Sequence, residues 1–80
     1  MRLDKYLKVS RIIKRRVIAK EVVDAGKVKL NGKTAKASSE VHVGNSLEIT
    51  IKNEISYYKI INIYPNATEE KAKTMYLKEE

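Results

Sequence analysis

Asn31-Gly32 stands between two short runs of alternating apolar and polar residues, and no other dipeptide in the chain fixes its path so tightly. A two-residue I′ turn needs positive φ at both central positions, which Asn and Gly tolerate. The spacing predicts a hairpin with strands at about 27–31 and 33–36. In the first strand Val28 and Leu30 point one way, and Lys27 and Lys29 the other. Upstream the period is helical. Ile18 and Val22 share a face, and so do Ala19 and Val23, giving an apolar stripe on a helix at about 15–25. Gly26 follows where a left-handed C-terminal cap is needed. One side of this helix–hairpin unit should be buried. The other should carry Lys14, Arg15, Arg16, Lys27, Lys29 and Lys33.

The remaining elements are shorter. Leu3 and Leu7, with Tyr6 beside them, predict a first helix over 2–8. Asp4 in its first turn suits the helix dipole and a surface ion pair. Residues 9–13 link the helices, with Ile12 and Ile13 plugging the gap between them. Residues 37–40 form a polar loop, and 41–43 a short extended piece. Leu47, Ile49 and Ile51 alternate with Glu48, Thr50 and Lys52, as in a half-buried strand. Asn53-Glu54 marks a turn, and the β-branched and aromatic run after it predicts a strand at about 56–63. Thr68-Glu69-Glu70 opens a last helix, expected to reach about Leu77 with Ala72, Met75 and Tyr76 as its apolar residues. The expected fold is α+β: two short N-terminal helices on a small, mostly antiparallel sheet, with a C-terminal helix. Residues 1–80 make one domain, with 1–52 as its core and 53–80 as a strand-and-helix extension.

Charge narrows the function. Residues 1–36 hold twelve Lys and Arg against Asp4, Glu21 and Asp24, whereas 37–80 hold five against seven acids. A solvated surface accounts for many lysines but poorly for their confinement to one half, which suggests a polyanion-facing side. Arg15 and Arg16 at a helix start combine guanidinium forks with unpaired N–H groups and the positive dipole end. Arg2 and Lys5 can join them from the first helix, and Arg11, Lys14, Lys20, Lys27, Lys29 and Lys33 complete the candidate RNA-binding set. Nothing here reads bases, so structured RNA is favoured over a DNA operator.

Catalysis has little support. His42 is the only histidine and lies between valines, and the chain has no cysteine. Neither a triad nor a metal site can be assembled from such material. Gly26, Gly32 and Gly44 sit at separate turns and make no phosphate-cradling loop. Tyr6, Tyr57, Tyr58, Tyr64 and Tyr76 lack the pairing of a base-stacking platform and are expected in the core or at the sheet rim. No catalytic residue, metal or cofactor is expected. No apolar run reaches membrane length and the first residues are not a signal peptide, so no membrane partner and a cytoplasmic monomer are expected.

One resemblance sharpens this. Arg2-Leu3-Asp4-Lys5-Tyr6-Leu7, Arg15-Arg16-x-x-Ala19, Val22-x-x-x-Gly26-x-Val28-x-Leu30-Asn31-Gly32 and Val41-x-x-Gly44-Asn45 fall in order over residues 1–52. This pattern resembles the RNA-binding domain named after ribosomal small-subunit protein S-four. It departs in having Arg15-Arg16 for the family's Ser-Arg and Val43-Gly44-Asn45 for its Pro-Gly-Asp. Residues 9–16 and 35–39, with the terminal Lys-Thr-Met-Tyr-Leu-Lys-Glu-Glu, are similar to the RqcP family, stand-alone bacterial relatives of the fifteen-kilodalton heat-shock protein. The resemblance implies binding to large ribosomal subunits obstructed by peptidyl-tRNA, through large-subunit rRNA and the tRNA. It also implies support for an RqcH-type factor that adds an alanine tail to the stalled chain.

Overall fold

Leu3, Tyr6 and Leu7 recur at helical spacing and are fully buried, which seats the first helix, α1 (Leu3–Val9), on the core. Its N-terminal N–H groups are already occupied: Leu3 donates to the Ser39 carbonyl (2.8 Å) and Asp4 to that of Ala37 (3.2 Å). The structure, a computed structural model, describes residues 1–79.

Beyond α1 the chain reverses through a fixed linker. Ser10 is buried; its hydroxyl donates to the Leu7 carbonyl and accepts from the Ile12 N–H. Ile13 then donates back to the Leu7 carbonyl (3.1 Å). Arg11 occupies the left-handed region (φ 62°), where glycine would be the cheaper residue by about 1 kcal/mol.

The second helix, α2 (Arg16–Asp24), ends as expected. Gly26 (φ 77°) donates to the Val23 carbonyl and Lys27 to that of Val22, the paired bonds of a Schellman motif. The buried stripe is narrower than the spacing suggested. Ala19 and Val23 are buried and Val22 is partly so, but Ile18 is 44% exposed and Val17 69%. The helix touches the core along one edge only.

Five strands follow: β1 (Val28–Leu30), β2 (Lys33–Thr34), β3 (Ser46–Ile51), β4 (Glu54–Ile60) and β5 (Tyr76–Glu79). All neighbouring pairs are antiparallel, in the order β2-β1-β3-β4-β5. Register pairs Val28 with Ile49 and Leu30 with Leu47, and the inner face carries Val28, Leu47, Ile49 and Ile60 beneath the helices. Residues 41–43 form no strand; the extended piece shifts to an isolated bridge between Arg2 and Glu40. The β3–β4 turn falls at Lys52-Asn53, both at positive φ (52° and 66°), one residue before the expected position. Lys52→Gly is expected to raise the unfolding free energy by about 0.5 kcal/mol, the left-handed cost less glycine's entropy, read as a higher urea midpoint.

The C-terminal helix is the main correction. Only α3 (Glu69–Ala72) is helical, capped by the Thr68 hydroxyl, which accepts from the Lys71 N–H. The Thr74 hydroxyl then bonds the Lys71 carbonyl (2.7 Å), and Tyr76–Glu79 pairs with β4 instead of continuing the helix. An otherwise open β4 edge and an edge-on contact between Tyr58 and Tyr76 (5.3 Å) outweigh the local helical pattern. Tyr6 ties this end to the first helix: its hydroxyl donates to the Met75 carbonyl at 2.8 Å, which also accepts from the Ile61 and Asn62 N–H groups.

Candidate nucleic-acid interface

Asp4 organises the basic surface. Its carboxylate is buried, accepts the Lys5 N–H at 2.8 Å, and meets Arg2 Nε at 3.2 Å and Arg16 at 3.4 Å. The guanidiniums stay about half exposed. A carboxylate beneath two arginines restrains their rotamers while leaving outward N–H groups free for an external anion. Burial pushes the Asp4 carboxyl up, but the Lys5 N–H, the Arg16 charge and the bonds from Arg2 and Arg16 outweigh it and hold it below its usual value. Sequence reasoning gave Asp4 a dipole and a surface ion pair. Its burial, and a partner twelve residues on, were not visible locally.

The linkage has a defined sign. A carboxyl depressed in the folded state stabilises above its unfolded value near pH 4 and loses that contribution as pH falls through the lower folded value. Asp4→Asn is expected to cost about 1–2 kcal/mol at pH 7. In urea titrations the gap from the parent should close toward pH 3, and a gap unchanged with pH would refute the ionic role.

Around this centre the other cations sort into places. Lys20 lies one turn beyond Arg16 on the same face of α2, and Lys5 lies three residues from Arg2. Arg15 is the extended N-cap of α2, with no side chain closing the first turn. Arg11 and Lys14 lie on the linker and line a groove beside α3. Lys27 is exposed at the head of β1. Lys29 pairs in register with Glu48 and approaches it at 3.8 Å. Lys33 pairs with Leu30, so it stands on the helix-bearing side, opposite Lys29. The single continuous cationic face expected from the sequence is therefore divided. Arg2 and Arg16 meet at Asp4, with Lys5 and Lys20 further along their two helices and Arg15 next to Arg16 in the chain, while Lys29 faces an acidic neighbour on the far side of the sheet.

The residues set aside as non-catalytic have structural places. His42 is exposed, and its backbone N–H donates to the Asn45 side chain. Asn31 (φ 51°) holds the hairpin turn and accepts the Ser46 N–H. Tyr6 is buried, Tyr58, Tyr64 and Tyr76 pack partly against the core, and Tyr57 is exposed on the outer sheet face. Among the described residues no cluster of His, Cys, Asp and Glu could hold a metal ion, and no helix is long and apolar enough to cross a membrane.

Comparison with known proteins agrees with this geometry. Residues 1–47 match the S4 domain. The chain is 49% identical over 76 residues to the RQC P-site tRNA stabilizing factor of Streptococcus pneumoniae, covering 95% of this chain and 86% of that one. It is 46% identical over 82 residues to the factor of that name from Bacillus subtilis, covering 100% of this chain and 95% of the relative. Among solved structures, Heat Shock Protein 15 of Vibrio cholerae, a trimer, superposes with a TM-score of 0.89 at 30% identity, covering 99% of this chain and 81% of that one. These alignments extend past the S4 match to cover nearly all of the chain, and the chain belongs to the family of RQC P-site tRNA stabilizing factors, built on the S4 domain.

Proposed function

We propose that this chain is an RNA-binding factor of ribosome-associated quality control. It binds obstructed large ribosomal subunits carrying peptidyl-tRNA, through backbone contacts to large-subunit rRNA and to the tRNA. By steadying the tRNA it supports an RqcH-type factor that adds alanine to the stalled chain. It works by binding, not catalysis, as a monomer in the cytoplasm. The observation that carries this reading is the buried Asp4 carboxylate, which presents Arg2 and Arg16 together at the surface. The names of its relatives supply the ribosomal setting.

Phosphate contacts made by Arg2, Lys5, Arg15, Arg16 and Lys20 would be electrostatic clamps. Each should contribute roughly 0.7–0.9 log units of affinity per log unit of salt. Sedimentation through sucrose gradients tests the setting. In lysates with stalled translation, the chain is expected in large-subunit fractions with peptidyl-tRNA and should leave them at high salt. Association with free tRNA but absence from those fractions would instead mark a general structured-RNA module.

A further inference from the structure

At the far end of α1 from Asp4, a groove of about 550 Å³ opens between the α1–α2 linker and α3. Lys8 enters it from the last turn of α1, Arg11 and Lys14 from the linker, and Lys73 from the residue after α3. Glu69 is the one carboxylate in its lining, and half-buried Tyr76 contributes an aromatic surface. None of the four cations has a carboxylate within ion-pair distance among the described residues, unlike Arg2, Arg16 and Lys29. We propose that this groove is a second RNA-backbone site, which takes a phosphodiester segment separate from the one at Arg2 and Arg16. The proposal rests on the RNA-binding reading above.

Three features carry it. Four cations from three chain segments surround the groove against a single acid, which suits a strand of successive phosphates better than one small anion. The linker is held by the buried Ser10 and by Ile13 bonding back to Leu7, so the Arg11 position is fixed in advance. Arg11 also keeps a charged side chain at a left-handed position that glycine would fill without strain. Arg2 and Lys8 are six residues apart, about 9 Å along the helix axis, so α1 acts as a spacer between the two sites. The C-terminal segment thereby gains a role: by turning at Lys73-Thr74 it supplies one wall of the groove.

The test uses Lys8→Ala/Lys73→Ala in the full chain, since neither residue touches Asp4 or its arginines. The probes are obstructed large subunits carrying peptidyl-tRNA, and deacylated tRNA alone. At 0.15 M salt, affinity for the obstructed subunits is expected to fall about tenfold. Two lost phosphate contacts should flatten the salt slope by roughly 1.4–1.8. Lys8→Arg/Lys73→Arg should keep parental binding, and the melting temperature of each variant should match the parent's. Parental affinity and slope in the alanine variant, with Arg16→Ala still impaired, would overturn the groove and leave the RNA reading standing. If Arg16→Ala also bound normally, both would fall. A loss of subunit affinity with an unchanged salt slope and unchanged tRNA binding would point to an acidic protein segment and overturn the proposal.

Discussion

Arg16→Ala is expected to weaken binding to obstructed large subunits by about 10- to 100-fold. A charge-assisted hydrogen bond contributes about 1.5–3 kcal/mol, and each 1.4 kcal/mol is a factor of ten. The loss should exceed that of an ordinary surface lysine because Asp4 has already restricted the guanidinium, so less freedom remains to be lost on binding. Lys52→Ala and Lys59→Ala, on the β3–β4 hairpin, should change affinity by about twofold at most, as surface charges acting only through the screened field do. Arg16 is about half exposed, so its removal should cost little stability, about 1 kcal/mol or less. Filter binding and thermal melts on the same preparations separate the two effects. Equal losses for Arg16→Ala and Lys59→Ala would mean that the Asp4-anchored pair is not the binding centre.

Tyr6→Ala should have the largest effect on the fold. The ring is fully buried among Leu3, Leu7 and Met75, and truncating a buried aromatic costs about 3–5 kcal/mol. For a domain of this size that is a large part of the total stability, and the melting temperature should drop by about 15–30 °C. Tyr6→Phe keeps the ring and removes one of three donors to the Met75 carbonyl, which should cost about 1 kcal/mol. The two variants divide packing from hydrogen bonding. Burial, and then the charge of Tyr76, pushes the Tyr6 phenol well above its ordinary value. Its contribution is therefore complete below pH 10 and is lost as pH rises further, because the unfolded chain ionises first. Alkaline titration of stability should show that decline in the parent and lack it in Tyr6→Phe.

The parts of the fold legible in the sequence are those decided by neighbours along the chain. Gly26 closes α2 and Asn31-Gly32 turns the hairpin because both depend on local φ preferences. Leu47 and Ile49 are buried where their alternation placed them. What the sequence hid depends on distant partners. The helical pattern around Ala72 and Met75 was real, yet β4 offered Tyr76 a strand position that no local rule contains. Ile18 met no neighbour to cover it. Asp4 became the hub of the basic surface only because the linker returns Arg16 to the start of α1. The separation of Lys29 from Lys33 was recoverable, since the residues flanking a two-residue turn face the same way and Leu30 is apolar.

The Tyr6 hydroxyl and the Met75 carbonyl are 69 positions apart in the chain. During synthesis the ribosome releases the amino end first, so α1 is free of the tunnel while its latch is still being made. That latch is therefore among the last tertiary contacts able to form, whereas the bonds from Arg2 and Arg16 to Asp4 join residues close together in the chain and need no C-terminal partner.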